Sequence, residues 1–143
     1  MRHPSSFILM NSHAWIVCGA LLAALSVALG AFGAHGLKPR LAQDASLSAE
    51  AAAKRLETYE TAARYQMYHA IGLALVGLLS AGGGNRSLDA AGWCFLAGIL
   101  VFSGLCYALA LGGPRRLGAI VPFGGVAFIA GWVALALGAL RKG

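Results

Sequence analysis

Two histidines stand where an acid–base or ligand-binding group would work away from bulk water. His35 ends the run Gly30-Ala31-Phe32-Gly33-Ala34-His35, and His69 ends Tyr65-Gln66-Met67-Tyr68-His69. An imidazole can carry a proton, hold a metal or bond a ligand near neutral pH. Together with Tyr65, Gln66, Ser103, Tyr107 and Pro122, the two histidines form a candidate polar cluster within otherwise apolar segments. Its chemistry would be proton or small-ligand handling. A plainer account competes: a neutral His69 bonded to a tyrosine or a free carbonyl needs no function beyond stability. Two imidazoles fall short of the three or four protein ligands of a zinc site. Glu60 stands more than two helical turns from His69, so neither a metal nor a cofactor is expected. The sequence also lacks GxxxxGK[ST], GxSxG, HExxH and CxxCH patterns. Asp and Glu are missing from the apolar segments, which removes the usual carboxylate of a proton relay. No catalytic residues are assigned, and the chain is expected not to be an enzyme.

The elements that must position these groups can be read from where charge is missing. Of the 143 residues, 59% are hydrophobic and only 11% charged, with a mean hydropathy of +0.72. Soluble domains carry about 25% charged residues. All charges lie outside four windows, His3–Leu37, Tyr65–Asn85, Ala90–Pro114 and Leu117–Leu140. Each is long enough for the roughly 20 apolar residues that cross a bilayer as a helix. Helices satisfy their own backbone in lipid, and the alternation of barrel strands is absent. The reading is an all-α membrane protein. One domain, residues 1–143, forms a four-transmembrane-helix up-down bundle with spans near 14–35, 65–82, 90–111 and 118–140. An amphipathic extension, residues 36–64, precedes the second span. Lys38-Pro39-Arg40 should end the first helix, because proline lacks the donor to continue it. Ser48 is the expected N-cap of a helix running from Ala49 to Ala81, with Glu50 in its first turn. The first window also has the look of a signal peptide, with Arg2 ahead of it and Ala31-Phe32-Gly33 as a cleavage site. Its uncharged run exceeds a signal h-region, and three more spans come after it.

Lys and Arg counts set the orientation. The first and third loops hold seven (Lys38, Arg40, Lys54, Arg55, Arg64, Arg115 and Arg116), against four (Arg2, Arg86, Arg141 and Lys142) for the termini and middle loop. Both termini are therefore expected on the non-cytoplasmic side of the membrane. The net charge of +6 does not imply nucleic acid, because no basic run exceeds two residues. Basic span ends suit anionic lipid headgroups. Cys18, Cys94 and Cys106 form no CxxC pair and read as small core residues. Trp15 and Trp93 read as interfacial anchors at opposite faces, and Trp132, inside span four, as a packing residue. Ser26-x3-Gly30-x3-Ala34 and Ala130-x3-Ala134-x3-Gly138 read as small-residue stripes for close helix contact. On span two, His69 shares a face with Tyr65, Gln66 and Ala62, while Tyr68 points away. Pro122 with Gly124-Gly125 is either a tolerated kink or a break that frees a carbonyl into a polar cavity.

Four motifs carry a resemblance: ALGAFGAHGL, YxTAxRYQMYHAxGL, FSGxxY and LGAIxPxGGxxFIAGW. In this order they resemble the YgdD-like small inner-membrane proteins across all four spans, with the loop from Ala42 to Leu56 more variable. The resemblance implies a four-span helical protein of the bacterial cytoplasmic membrane with no assigned activity. Leu105 stands where that family has serine and Val121 where it has threonine, which removes two hydroxyls from the polar cluster. Function then reads as a non-enzymatic accessory, scaffold or small oligomeric membrane component. Its partners would be membrane lipid and a second copy or another membrane protein. The alternatives are a small-solute or proton permeation protein using the cluster and, more remotely, an enzyme acting on lipid or quinone.

Overall fold

The computed structural model describes residues 11–141. Arg2 and Lys142, which enter the charge count, lie outside the described residues, as do the first residues of the signal-peptide reading. Among the described residues the chain folds into four long helices and no strand: α1 (Ser12–Gln43), α2 (Ala49–Ser80), α3 (Arg86–Ala110) and α4 (Arg115–Leu140). Of these, α1, α3 and α4 are long and apolar enough to cross a membrane. The expectation of four such helices is thus met by three. In α2 the polar Tyr65, Gln66, Tyr68 and His69 open the apolar half, and charged residues from Glu50 to Arg64 fill the other.

Local chemistry sets most helix ends. Asn11 caps α1 by accepting from the His13 amide at 2.9 Å. Ser48 Oγ accepts from the Ala51 amide at 3.1 Å, and Asn85 Oδ1 from the Leu88 amide at 3.0 Å. Asp44 closes the turn between α1 and α2, accepting from the Ser46 hydroxyl at 2.6 Å and the Ser46 amide at 2.9 Å. The Ser46 hydroxyl first, and then its amide, hold the Asp44 carboxyl below its usual pKa.

Pro39 does not end the first helix. A π turn at Gly33–Leu37 precedes it, and helix resumes over Lys38–Gln43 with the proline in its first turn. The wider turn relieves the clash between a proline ring and the carbonyl four residues back. A second π turn, Ile99–Ser103, interrupts α3. In α4 a 3-10 turn at Arg115–Ala119 leads into regular helix from Val121. Pro122 therefore sits in a first turn, where its missing N–H would have had no partner anyway. It is tolerated there and makes no break.

The helices run alternately up and down, as contacts at the two ends show. At one end Gly33 of α1 meets Tyr59 of α2, and Tyr59 meets Tyr107 of α3 with ring centroids 4.9 Å apart. At the other end Gly77 of α2 abuts Ser12 and Ile16, and the Asn85 side chain donates to Gly138 O of α4 at 2.9 Å. Lipid tails give helices no apolar reason to associate, so close packing must hold them. Glycine supplies it. A Cβ at Gly19 would stand 2.6 Å from Ala70 O, and one at Gly124 2.5 Å from Phe102 N. On α4 the seam runs Gly124, Phe128, Gly131, Leu135, Gly138, all buried and alternating four and three residues apart. Of the small-residue stripes expected from sequence, Ser26, Ala134 and Gly138 do pack between helices, whereas Gly30 meets nothing within 4 Å and Ala34 and Ala130 are exposed. One core gathers Trp15, Leu73, Val76, Leu88, Phe95 and Phe128; a smaller one joins Leu37, Leu41, Tyr59 and Ala110.

Candidate functional site

The predicted cluster divides into two places separated by α2. On the side facing α1 and α3, polar groups tie helices together. Ser26 Oγ donates to Ala63 O at 2.7 Å. Gln66 Nε2 donates to Leu22 O at 2.9 Å, and Gln66 Oε1 accepts from the Tyr107 hydroxyl at 3.1 Å. One glutamine thereby joins three helices. Gln66→Leu is expected to cost about 1–2 kcal/mol, the scale of one or two interhelical bonds in a membrane. Tyr107→Phe should cost less, because Gln66 keeps its backbone partner. Thermal melting of the purified variants in detergent checks both. Ser103 lies in the second π turn, fully buried, and its Oγ has no hydrogen-bond partner among the described residues.

On the other side, His69 is 4% exposed. Its Nδ1 lies 2.6 Å from Tyr65 O, one turn back on the same helix. A carbonyl can only accept, so Nδ1 carries a proton, and in the neutral ring Nε2 is left as an acceptor. The ring stacks on Phe128 with centroids 3.4 Å apart and planes 7° from parallel. Phe95 and Trp132 stand at 5.6 and 6.0 Å, and Tyr65 at 6.1 Å. This is the plainer of the two accounts of His69, a ring pinned to a backbone carbonyl, with one nitrogen still unassigned.

His69 borders a groove of about 810 Å³ between α2 and α4, floored by Phe102 of the π turn in α3. Tyr65, Pro122, Ile129 and Trp132 also line it. Tyr68, read as pointing away from His69, lines it too.

His35 joins neither place. It is exposed on the first π turn and makes no hydrogen bond or ring contact among the described residues. The two histidines therefore do not converge: His35 is exposed on the π turn of α1, whereas His69 is buried beside Phe128. No group of three potential metal ligands occurs among the described residues.

The tryptophan readings change as well. Trp15 is wholly buried and donates its indole N–H to Asp89 Oδ1 at 3.2 Å. Its ring meets Trp93 edge-on at 5.6 Å, so the two share one end of the bundle. Up-down topology requires this of the starts of α1 and α3. Trp132, read as a packing residue, is 40% exposed on the groove wall. The sequence reading passed over Phe102, Phe128 and Asp89. Phe128 and Trp132, one turn apart on α4, were the available signal for the groove. Nothing local announces the Trp15–Asp89 bond across 74 residues. The three cysteines are free.

A family profile described as "Protein of unknown function (DUF423)" matches residues 29–125. A UPF0382 membrane protein of Staphylococcus epidermidis is 44% identical over 127 residues, covering 89% of this chain and 95% of the relative. One from Staphylococcus saprophyticus is 43% identical over 89% of this chain and 97% of its own length. The UPF0382 membrane protein YwdK of Bacillus subtilis is 41% identical over 128 residues, 89% of this chain and 96% of its own. No solved structure matches the chain.

Proposed function

This chain belongs to the DUF423 family of UPF0382 membrane proteins, and on that footing we propose that it is a non-enzymatic, four-span component of the bacterial cytoplasmic membrane. It acts as an accessory or scaffold through its lipid-facing helix surfaces. The observation that carries this reading is how the interior polar groups are used. Ser26, Gln66, Tyr107, Trp15 and Asn85 each bond a neighbouring helix. These bonds tie the bundle together, which is the use a scaffold makes of interior polar groups. The faces left to a partner are apolar: Val17, Leu21 and Leu25 on α1, and Phe123, Val126 and Val133 on α4.

The fourth crossing rests on geometry. If α1 spans, α2 returns beside it from Tyr59 to Gly77, which abuts Ser12 at the start of α1. Of the polar residues that lower its hydropathy, Gln66 and His69 are buried against the other helices, while Glu60, Arg64, Tyr65 and Tyr68 are exposed toward one end. Seven Lys and Arg in the α1–α2 and α3–α4 connections and their flanks, against four elsewhere, support a reading with those connections on the cytoplasmic side and both termini outside.

Two measurements test this. Single cysteines at positions 45, 83 and 113, in a background without native cysteines, are expected to label 45 and 113 from one side and 83 from the other. Labelling of 45 and 83 from the same side removes the α2 crossing. In liposomes with a trapped pH dye, the protein is expected to leave proton flux at the empty-vesicle rate. A flux that His69→Ala abolishes would instead establish the permeation reading.

A further inference from the structure

Of the polar side-chain atoms lining the groove between α2 and α4, the Tyr65 and Tyr68 hydroxyls and the Trp132 N–H can donate, whereas the free nitrogen of His69 can only accept, and that atom selects a ligand. His69 Nδ1 is committed to Tyr65 O, while Nε2 makes no hydrogen bond among the described residues. It is not sealed either: the side-chain atom that is both enclosed and unpartnered is Ser103 Oγ, not His69 Nε2. The ring lines the groove, so its free lone pair opens there. No Asp, Glu, Lys or Arg lines the same groove. An acyl chain filling it would leave Nε2 unanswered, at the cost of an unpaired buried acceptor. The occupant that fits must donate a hydrogen bond.

The rest of the wall describes the occupant's body. Tyr65 and Phe102 lie with ring centroids 4.8 Å apart, and Phe95 and Trp132 meet at 4.9 Å behind His69. Such surfaces favour a flat aromatic ring. At about 810 Å³ the space is that of a small-molecule pocket and exceeds one ring. The neighbouring residues on α4, Val126 and Ile129, are exposed and apolar, so entry is sideways from lipid.

We propose that this groove binds a lipid-soluble phenol of the hydroquinone type, its ring among Tyr65, Phe102 and Trp132 and one hydroxyl donating to His69 Nε2. The proposal concerns binding alone and invokes no electron transfer. It rests on α2 and α4 lying in the bilayer, and the cysteine-labelling pattern tests that premise separately.

The test uses full-length protein in lipid nanodiscs under argon, with protein-free discs subtracted. The probes are a hydroquinone carrying a short isoprenoid tail, its dimethyl ether, and an alkanol of matched length. The hydroquinone is expected to bind at least about tenfold tighter than the ether, which has no donor, or than the alkanol, which has no ring. His69→Phe should erase the preference over the ether while leaving ether binding unchanged. Ile129→Trp, at an exposed position that fills the groove, should abolish binding of both while the protein melts normally. Equal affinity for hydroquinone and ether, or a preference that survives His69→Phe, refutes the hydrogen bond. An alkanol bound as tightly as the hydroquinone refutes the aromatic slot. Unchanged binding in Ile129→Trp, which keeps the test open should His69→Phe not fold, refutes the location.

Discussion

Trp15→Ala is expected to destabilise the bundle by about 3–5 kcal/mol, the range for removing a large buried aromatic. Trp15 is wholly buried, and its six-membered ring fills the space where a side chain at Gly92 would otherwise stand. Its indole N–H is also the hydrogen bond that Asp89 receives from a side chain. Alanine therefore leaves a cavity and a buried carboxylate oxygen without its donor. Two further variants separate these contributions. Trp15→Phe restores much of the volume but no donor, and should cost about 1–3 kcal/mol for the orphaned acceptor. Asp89→Asn retains an oxygen that can accept from the indole and should cost less than Trp15→Phe. Unfolding in mixed micelles, monitored by far-UV circular dichroism, provides the readout. A Trp15→Ala protein as stable as the parent would show that this end of the bundle does not hold the fold together.

The second large effect comes from adding a single methyl group. Gly19→Ala places a Cβ 2.6 Å from Ala70 O and 2.8 Å from Ala74 N. Both are backbone atoms of a neighbouring helix, so no rotamer change relieves the clash and α1 must move away from α2. Overpacking of this kind costs about 1–3 kcal/mol. Gly30→Ala, eleven positions along the same helix, meets nothing within 4 Å. Alanine is the better helix former by up to about 1 kcal/mol, so the identical change should be neutral or stabilising at Gly30. The comparison holds chemistry, helix and solvent constant, and only the distance to α2 differs. Matched melting temperatures for the two variants would mean that α1 and α2 are not packed at this register. Gly77→Ala, against Ser12 O at 2.6 Å, should behave like Gly19→Ala.

The candidate site was legible in part. Tyr65, His69 and Pro122 do share one groove, and Gln66 and Tyr107 share one hydrogen bond. Polar residues at the head of an apolar segment are visible in one dimension, and an up-down chain brings the corresponding ends together. His35 was grouped with His69, and Phe102 was overlooked, for a common reason: each lies in a π turn. Each π turn inserts one residue into the helix and rotates the downstream residues by about 100° relative to regular spacing. Faces read at three and four residues do not carry across Gly33–Leu37 or Ile99–Ser103.

Features that depend on near neighbours are written in the linear chain. The uncharged stretches, the Ser48 cap and the extent of α2 are set by a residue's own solvation and by partners within a few positions. Assembly in three dimensions was needed to select which glycines lie between helices, which aromatic rings enclose His69, and Asp89 as the partner of Trp15. Those outcomes depend on how four cylinders of similar apolarity pair sideways. Lipid is as apolar as leucine, so burial of apolar surface does not choose among the faces. The choice falls to steric fit between segments distant along the chain, and that fit exists only once the helices are assembled.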